Sequence, residues 1–265
     1  MPDCLVERDG AVMVIRFNRP DRMNSMGGML VPEFNAAIDE GRRDDRVRAF
    51  VVTGEGRGFC AGADLVPGGL GSRGDGPSNP RFAALDPMGD AGRTILNFYH
   101  AGKPTIAAVN GAAVGAGFGL ACAFDLRIAS DQARFGTIFI KRALGPDFGL
   151  SWFLPRLVGI EQANSLFYSG RIIGAEEALA LGLVSKVVPH DQLLPEALAL
   201  AHDLAKQPPA ALSLTRQALR RSPTATLEDQ LAFEWGNQKQ SLKSAEFQEG
   251  VNAFIEKREP DFSSF

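Results

Sequence analysis

Cysteine is scarce in this chain of 265 residues, which carries only Cys4, Cys60 and Cys122. They are odd in number and widely spaced, with no CxxC pair and no Cys/His cluster at zinc spacing. A disulfide framework and a structural metal site are therefore not expected. Long apolar runs are missing as well, because Gly, Asp or Arg interrupts each one well short of the ~20 residues needed to span a bilayer. Surplus charge of either sign is absent, with 28 Lys+Arg against 31 Asp+Glu and a net charge of −3. That balance gives no global basic footprint for nucleic acid or an anionic membrane. The opening Met1-Pro2-Asp3-Cys4 lacks the basic and apolar stretches of a secretory leader, so a reducing, cytoplasmic compartment is expected.

What is present is enough apolar material for a full core, 45% of the chain. Cation chemistry is mostly arginine, 21 of 28 residues, which suits local phosphate recognition. Two extended segments, Leu5–Arg8 and Val12–Asn18, flank the turn Asp9-Gly10. Leu30, Phe34 and Ile38 recur at helical spacing, with Pro32 in the first turn. The apolar run Ala49–Thr53 predicts a buried strand. A helix over Met88–His100, a strand Thr105–Val109, a helix after Gly115 and a strand Leu126–Ala129 then follow. Strands alternating with helices predict an α/β core with crossover connections. Between residues 66 and 87, Gly, Pro, Ser and Asn dominate, which reads as a mobile inserted loop. From Pro195 onward the pattern is helical only, interrupted by Pro208-Pro209, with the run Ala210–Arg221 and a capping pattern at Thr226-x-x-Asp229. The expected organisation is a core over 1–195 and a helical appendage over 196–265.

Two glycine-rich turns are candidate chemistry. Gly54–Leu65 follows one predicted strand, and Asn110–Leu120 follows another and opens a helix. Small residues let backbone N–H groups approach a ligand, and a helix N-terminus adds unpaired donors and partial positive charge. Such turns serve a developing oxyanion, yet a glycine-rich strand-to-helix turn taken alone is more often a tight connection than a site. Gly115-x-Gly117-x-Gly119 does not have the dinucleotide spacing GxGxxG, and no GxxxxGK[ST] occurs.

Phe59-Cys60-Ala61-Gly62-Ala63-Asp64-Leu65 resembles the FCAGADL motif of the enoyl-CoA hydratase/isomerase (crotonase) superfamily. Asn110–Leu120 resembles its NGxAxGxGxxLA segment. Similarity extends from Asn18–Ser25, through Leu154–Gly159, to Glu249–Arg258. The resemblance implies a crotonase-like α/β spiral of ββα turns with a C-terminal helical region, assembled as a homotrimer or homohexamer. It implies an acyl-CoA thioester as substrate, with no separate cofactor and no metal, nucleic-acid or membrane partner. By motif position, the two N–H groups that grip the thioester oxygen fall on Ala63 and Ala116. Arg22, Met23 and the run Ala61, Ala63, Asp64, Leu65 and Val66 match segments that hold CoA. Lys257 matches a basic residue that reaches CoA phosphates, and an exposed helix lysine reads equally well there.

A hydratase of this superfamily uses two glutamates, and the corresponding positions here are Gly119 and Phe139. Neither can transfer a proton. Asp147, in Pro146-Asp147-Phe148-Gly149, resembles the acid of members that shift double bonds, including isomerases of ring-opened phenylacetyl-CoA epoxides. The residue alone reads as a general base or as the N-cap of a helix beginning near Gly149. Isomerisation is the leading expectation. Hydration or hydrolysis with Asp147 as sole base, and a non-catalytic acyl-CoA carrier or RNA-associated relative, are the alternatives. Asp125 reads as a turn residue, Asp64 as fixing the CoA loop, Cys60 and Cys122 as packed side chains, and His100, His190 and His202 as surface or capping histidines.

Overall fold

The computed structural model describes residues 1–65 and 86–265. A hairpin opens it, with β1 (Cys4–Asp9) antiparallel to β2 (Val12–Phe17) in the register Asp9↔Val12. Gly10 turns the chain at φ 58°, a conformation glycine adopts without a Cβ penalty. Helix α1 (Leu30–Arg43) then crosses back, so that β3 (Ala49–Gly54) lies parallel to β2. Leu30, Phe34 and Ile38 form its buried stripe, as their spacing predicts.

From β3 onward strands alternate between two sheets. β3, β5 (Thr105–Val109), β7 (Leu126–Ser130) and β10 (Lys186–Val188) extend the large sheet in the order β1-β2-β3-β5-β7-β10. The short strands β4 (Gly58–Cys60), β6 (Ala112–Val114), β8 (Arg134–Gly136) and β9 (Ile172–Gly174) build the second sheet in that order. Each spiral turn thus places one strand in each sheet. Helices α2 (Gly89–Tyr99), α3 (Ala116–Ala123), α4 (Leu150–Val158), α5 (Ile160–Ser169) and α6 (Ala175–Ala180) fill the connections. Parallel strands buried on both faces read as continuous apolar runs, which is why Ala49–Val52 carries no polar alternation.

The core has two parts. One face of the large sheet, with Met13, Ile15, Phe50, Val52, Ala107 and Val109, joins a cluster that includes Phe59, Phe98 and Phe118. The other face, with Val12, Val14, Val51, Ile106 and Ile128, is covered by Leu193, Ala197 and Ala201 of α7 (Leu193–Ala205). The expected boundary at 195 therefore falls inside a helix that packs on the sheet, and α7 belongs with the core. The three helices beyond it differ. α8 (Pro209–Arg221) and α9 (Leu227–Ser241) bury no residue, and α10 (Ala245–Glu256) buries only Ala253. No helix among the described residues is long and apolar enough to cross a membrane.

The loop expected over 66–87 lies outside the described residues except at its end. There Asp86 accepts hydrogen bonds from the Met88 and Gly89 N–H groups at 3.1 and 3.2 Å and starts α2.

Candidate active site

The two glycine-rich turns meet because the strands before them are parallel neighbours. β4 and β6 pair with Gly58 opposite Ala112 and Cys60 opposite Ala113. Their C-terminal ends deliver Ala61–Asp64 and Gly115–Ala116 to the same edge of the small sheet. Backbone contact is close, since a Cβ added to Gly62 would stand 2.8 Å from the Val114 carbonyl oxygen and 3.5 Å from the Ala116 nitrogen. Gly62, at φ 91°, is held where a side chain would be strained.

Donor geometry follows from the pairing around each alanine. Met26 bridges Ala63 in parallel fashion, with the Met26 N–H donating to the Gly62 carbonyl at 2.7 Å and the Asp64 N–H donating to the Met26 carbonyl at 3.0 Å. That bridge leaves the Ala63 N–H on the other side of the segment. In α3 the first ladder bond runs from the Gly119 N–H to the Gly115 carbonyl at 3.0 Å. Ala116 stands ahead of the ladder, at the positive end of a wholly buried helix.

The segment that resembles a CoA-binding loop is locked to this edge. The Ala61 N–H donates to the Met23 carbonyl at 3.0 Å, and Met23 and Asn24 both hold left-handed conformations at φ 52° and 55°. Asn24 donates to the Glu55 and Gly58 carbonyls at 2.9 and 2.6 Å. Asn110 clasps the same turn from β5, donating to the Gly56 carbonyl at 2.9 Å and accepting from the Gly54 N–H at 3.1 Å. Arg19, to which sequence reasoning gave no role, joins Asp64 at 2.8 Å and the Ser25 carbonyl at 2.6 Å. Asp64 is 5% exposed, so its part in fixing this loop is made through a shielded ion pair. Arg22 and Leu65 are exposed beside it, and Val66 lies outside the described residues.

The two positions that the family resemblance matches to a hydratase's glutamates are filled by packing. Phe139 is 7% exposed, and its ring lies 3.8 Å from where a Gly115 Cβ would be, against the turn that precedes Ala116. Gly119 sits one helical turn beyond Ala116 on the same face, against the backbone of Asp147 and Phe148.

Asp147 does not cap a helix. Gly149, at φ 70°, is the N-cap of α4, with no side-chain cap bond, and only the Asp147 carbonyl joins in by accepting from the Leu150 N–H at 3.0 Å. The residue is exposed at the surface. Desolvation by the surrounding protein nonetheless pushes its carboxyl above the ordinary carboxylate value, opposed in part by its own backbone N–H. A carboxylate with a raised pKa is a stronger base.

Other candidates lie elsewhere. Lys257 ends α10 on the exposed surface, its N–H bonded to carbonyls of its own helix. Asp125 is a clamp rather than a turn residue alone. Arg216 and Arg220 of α8 meet it at 2.9 and 2.7 Å, and their charges outweigh the burial that would raise its carboxyl, holding it below the ordinary range. His202 meets Asp9 at 3.1 Å, His190 meets Ser130 at 3.1 Å, and His100 stacks edge-on beside Tyr99. Cys60 and Cys122 are buried core side chains whose thiols desolvation pushes up to about 12.

Residues 7–264 match the enoyl-CoA hydratase/isomerase family. The chain is 37% identical over 260 residues to the 1,2-epoxyphenylacetyl-CoA isomerase of Escherichia coli, covering 95% of each protein. It is 38% identical over 250 residues to a probable enoyl-CoA hydratase of Rhodobacter capsulatus, covering 94% of this chain and 93% of that one. Among solved structures, an enoyl-CoA hydratase of Bacillus anthracis superposes with a TM-score of 0.89 at 31% identity, over 100% of both chains. A Geobacillus kaustophilus enoyl-CoA hydratase subunit does so with a TM-score of 0.88 at 34% identity, over 98% of both.

Proposed function

The chain belongs to the enoyl-CoA hydratase/isomerase family of acyl-CoA enzymes, and from that premise we propose that it shifts a carbon–carbon double bond in an enoyl-CoA, with Asp147 as the proton carrier. The observation that carries this reading is the filling of both glutamate positions. Phe139 presents an apolar ring, and the backbone of the Asp147–Phe148 turn lies on Gly119. Hydration needs two carboxylates to hold and deprotonate a water, whereas a 1,3-proton shift needs one.

In the proposed reaction the Ala63 and Ala116 N–H groups hold the thioester oxygen of a 3-enoyl-CoA. Asp147 removes a proton from C2, and the C–H electron pair enters a dienolate whose oxygen the two donors stabilise. The same carboxyl returns the proton at C4, giving 2-enoyl-CoA with no net change in atoms. Each such donor contributes roughly 2.7–4 kcal/mol of transition-state stabilisation. The Arg22–Met23 loop and Ala61–Leu65 hold the CoA portion in this reading, and Lys257 serves a CoA phosphate from the C-terminal helices.

The test is a mass-spectrometric screen of the purified protein against 2-enoyl-, 3-enoyl- and hydroxyacyl-CoA thioesters and 1,2-epoxyphenylacetyl-CoA, in ordinary and deuterated water. Isomerisation with less than one solvent deuterium entering at C4, because the same carboxyl carries the C2 proton there, and reduced about 10²–10⁴-fold in Asp147→Asn, is the expected result. Water addition at full rate in both proteins would instead establish a hydratase that does not use Asp147. Binding of every thioester without turnover would make the chain a carrier.

A further inference from the structure

Helix α3 carries glycine at 117 and 119, and each receives a different piece of the site. A Cβ at Gly117 would stand 2.0 Å from the Cys60 carbonyl oxygen, so the strand that leads to Ala63 is seated there. A Cβ at Gly119 would stand 2.7 Å from the Phe148 Cβ, 2.9 Å from the Phe148 carbonyl oxygen and 3.3 Å from that of Asp147. Two of these three neighbours are backbone atoms, which cannot turn aside as a flexible side chain does. The turn pressed onto Gly119 is itself constrained, since Phe148 and Gly149 are consecutive left-handed residues at φ 48° and 70°. For a bulky residue such as Phe148 that conformation is costly and persists only where its surroundings enforce it. The Phe148 side chain is 6% exposed and locked in the main core, and the Phe153 ring closes over Gly149.

We infer that Gly119 is the positioning residue for Asp147, its missing side chain letting the Phe148-Gly149 turn rest directly on α3 and so setting the acid one helical turn from Ala116. The inference rests on the proposed role of Asp147 and extends it. The absent glutamate at 119 is then not an empty place: the backbone that carries the replacement base occupies it. Gly117 and Gly119 together make α3 the common gauge for both halves of the chemistry.

The experiment is Gly119→Ala, measured as kcat, KM and pH profile of enoyl-CoA isomerisation in the parent and in an Asp147→Asn background. A Cβ at 119 must push the turn away, and a displacement of about 1 Å at a reacting group costs on the order of 10²-fold. The expected result is a kcat lowered about 10- to 100-fold with KM within about threefold. The acid limb of the profile should move toward the ordinary aspartate value as Asp147 gains water. In the Asp147→Asn background the same substitution should cost nothing further, because its effect passes through the acid. An equal cost in both backgrounds, or a kcat within threefold of the parent, overturns the positioning role. If Asp147→Asn itself leaves the rate unchanged, it is the proposed base that fails. Should Gly119→Ala not fold, Phe148→Gly takes away the Phe148 Cβ, the one side-chain atom of the contact, loosens the left-handed turn, and is read by the same two-background comparison.

Discussion

Arg19 and Asp64 meet at 2.8 Å across the base of the candidate CoA loop, with 16% and 5% of their side chains exposed. This pair ties the loop after β2 to the segment after β4, alongside the Met26–Ala63 bridge. Removing Asp64 leaves Arg19 with the longer pair to Asp3 at 3.8 Å and the Ser25 carbonyl, so the loss falls below the roughly 3–5 kcal/mol of a fully buried broken pair. Asp64→Ala should therefore lower the melting temperature and weaken acyl-CoA binding together. Thermal denaturation with and without an acyl-CoA checks both. Unchanged stabilisation by the ligand would separate the pair from the binding loop.

The raised carboxyl of Asp147 sets a pH expectation. A general base works ionised, so the acid limb of kcat/KM should lie above the ordinary aspartate value of about 3.9 and vanish in Asp147→Asn. The stability sign is opposite to that of a salt-bridged acid. A folded pKa above the unfolded one favours the protonated native state, and that contribution is lost as pH rises through the folded pKa. At pH 7 the ionised carboxyl carries a desolvation penalty that asparagine lacks. Asp147→Asn should then melt no lower than the parent at pH 7, with any gain shrinking in acid.

Rebuilding the glutamate pair should not make a hydratase. Gly119→Glu must displace the backbone at 147–148, and Phe139→Glu buries a carboxylate where a ring now packs. The double variant should melt lower and add water to 2-enoyl-CoA no faster than the parent. A gain of about 10²-fold or more, the usual worth of working acid–base groups, would show the space to be more forgiving than the packing indicates.

Assembly is expected from α8, α9 and α10. Leu227, Leu231, Trp235, Phe254 and Ile255 are all more than half exposed, at 69%, 55%, 59%, 85% and 71%. Apolar surface of that extent marks a contact with other chains. Sedimentation should report a trimer or hexamer, and a stable monomer at micromolar concentration would contradict this.

Much of this was legible in the sequence. The hairpin, the buried strands and the α1 stripe follow from alternation and spacing. The two glycine-rich turns are visible as segments that each succeed a strand, and only the family resemblance implies that they pair. The second sheet was not legible, because its strands are three residues long and carry no period. Nor was the place of α7, since an amphipathic pattern states that a face is buried and not which surface buries it. Arg19 and Asp125 find their partners 45 and 91 positions away, beyond any local signal. The contact between Gly119 and Phe148 was hidden for the same reason. A glycine in a motif announces room without naming the neighbour.

The strand alternation between two sheets also bears on how the protein is made. Apart from the β1–β2 hairpin, every pairing in the large sheet is parallel and must wait for a crossover to be completed. Ala63 and Ala116 come together only once Gly58 has found Ala112. Contacts of such long sequence separation carry a heavy loop-closure cost and form slowly. The slowest folding step and the assembly of the site should therefore be one event. A nascent chain that has not yet supplied β6 can set its first glycine-rich turn against the loop over 19–26, but it has no second donor to stand beside Ala63.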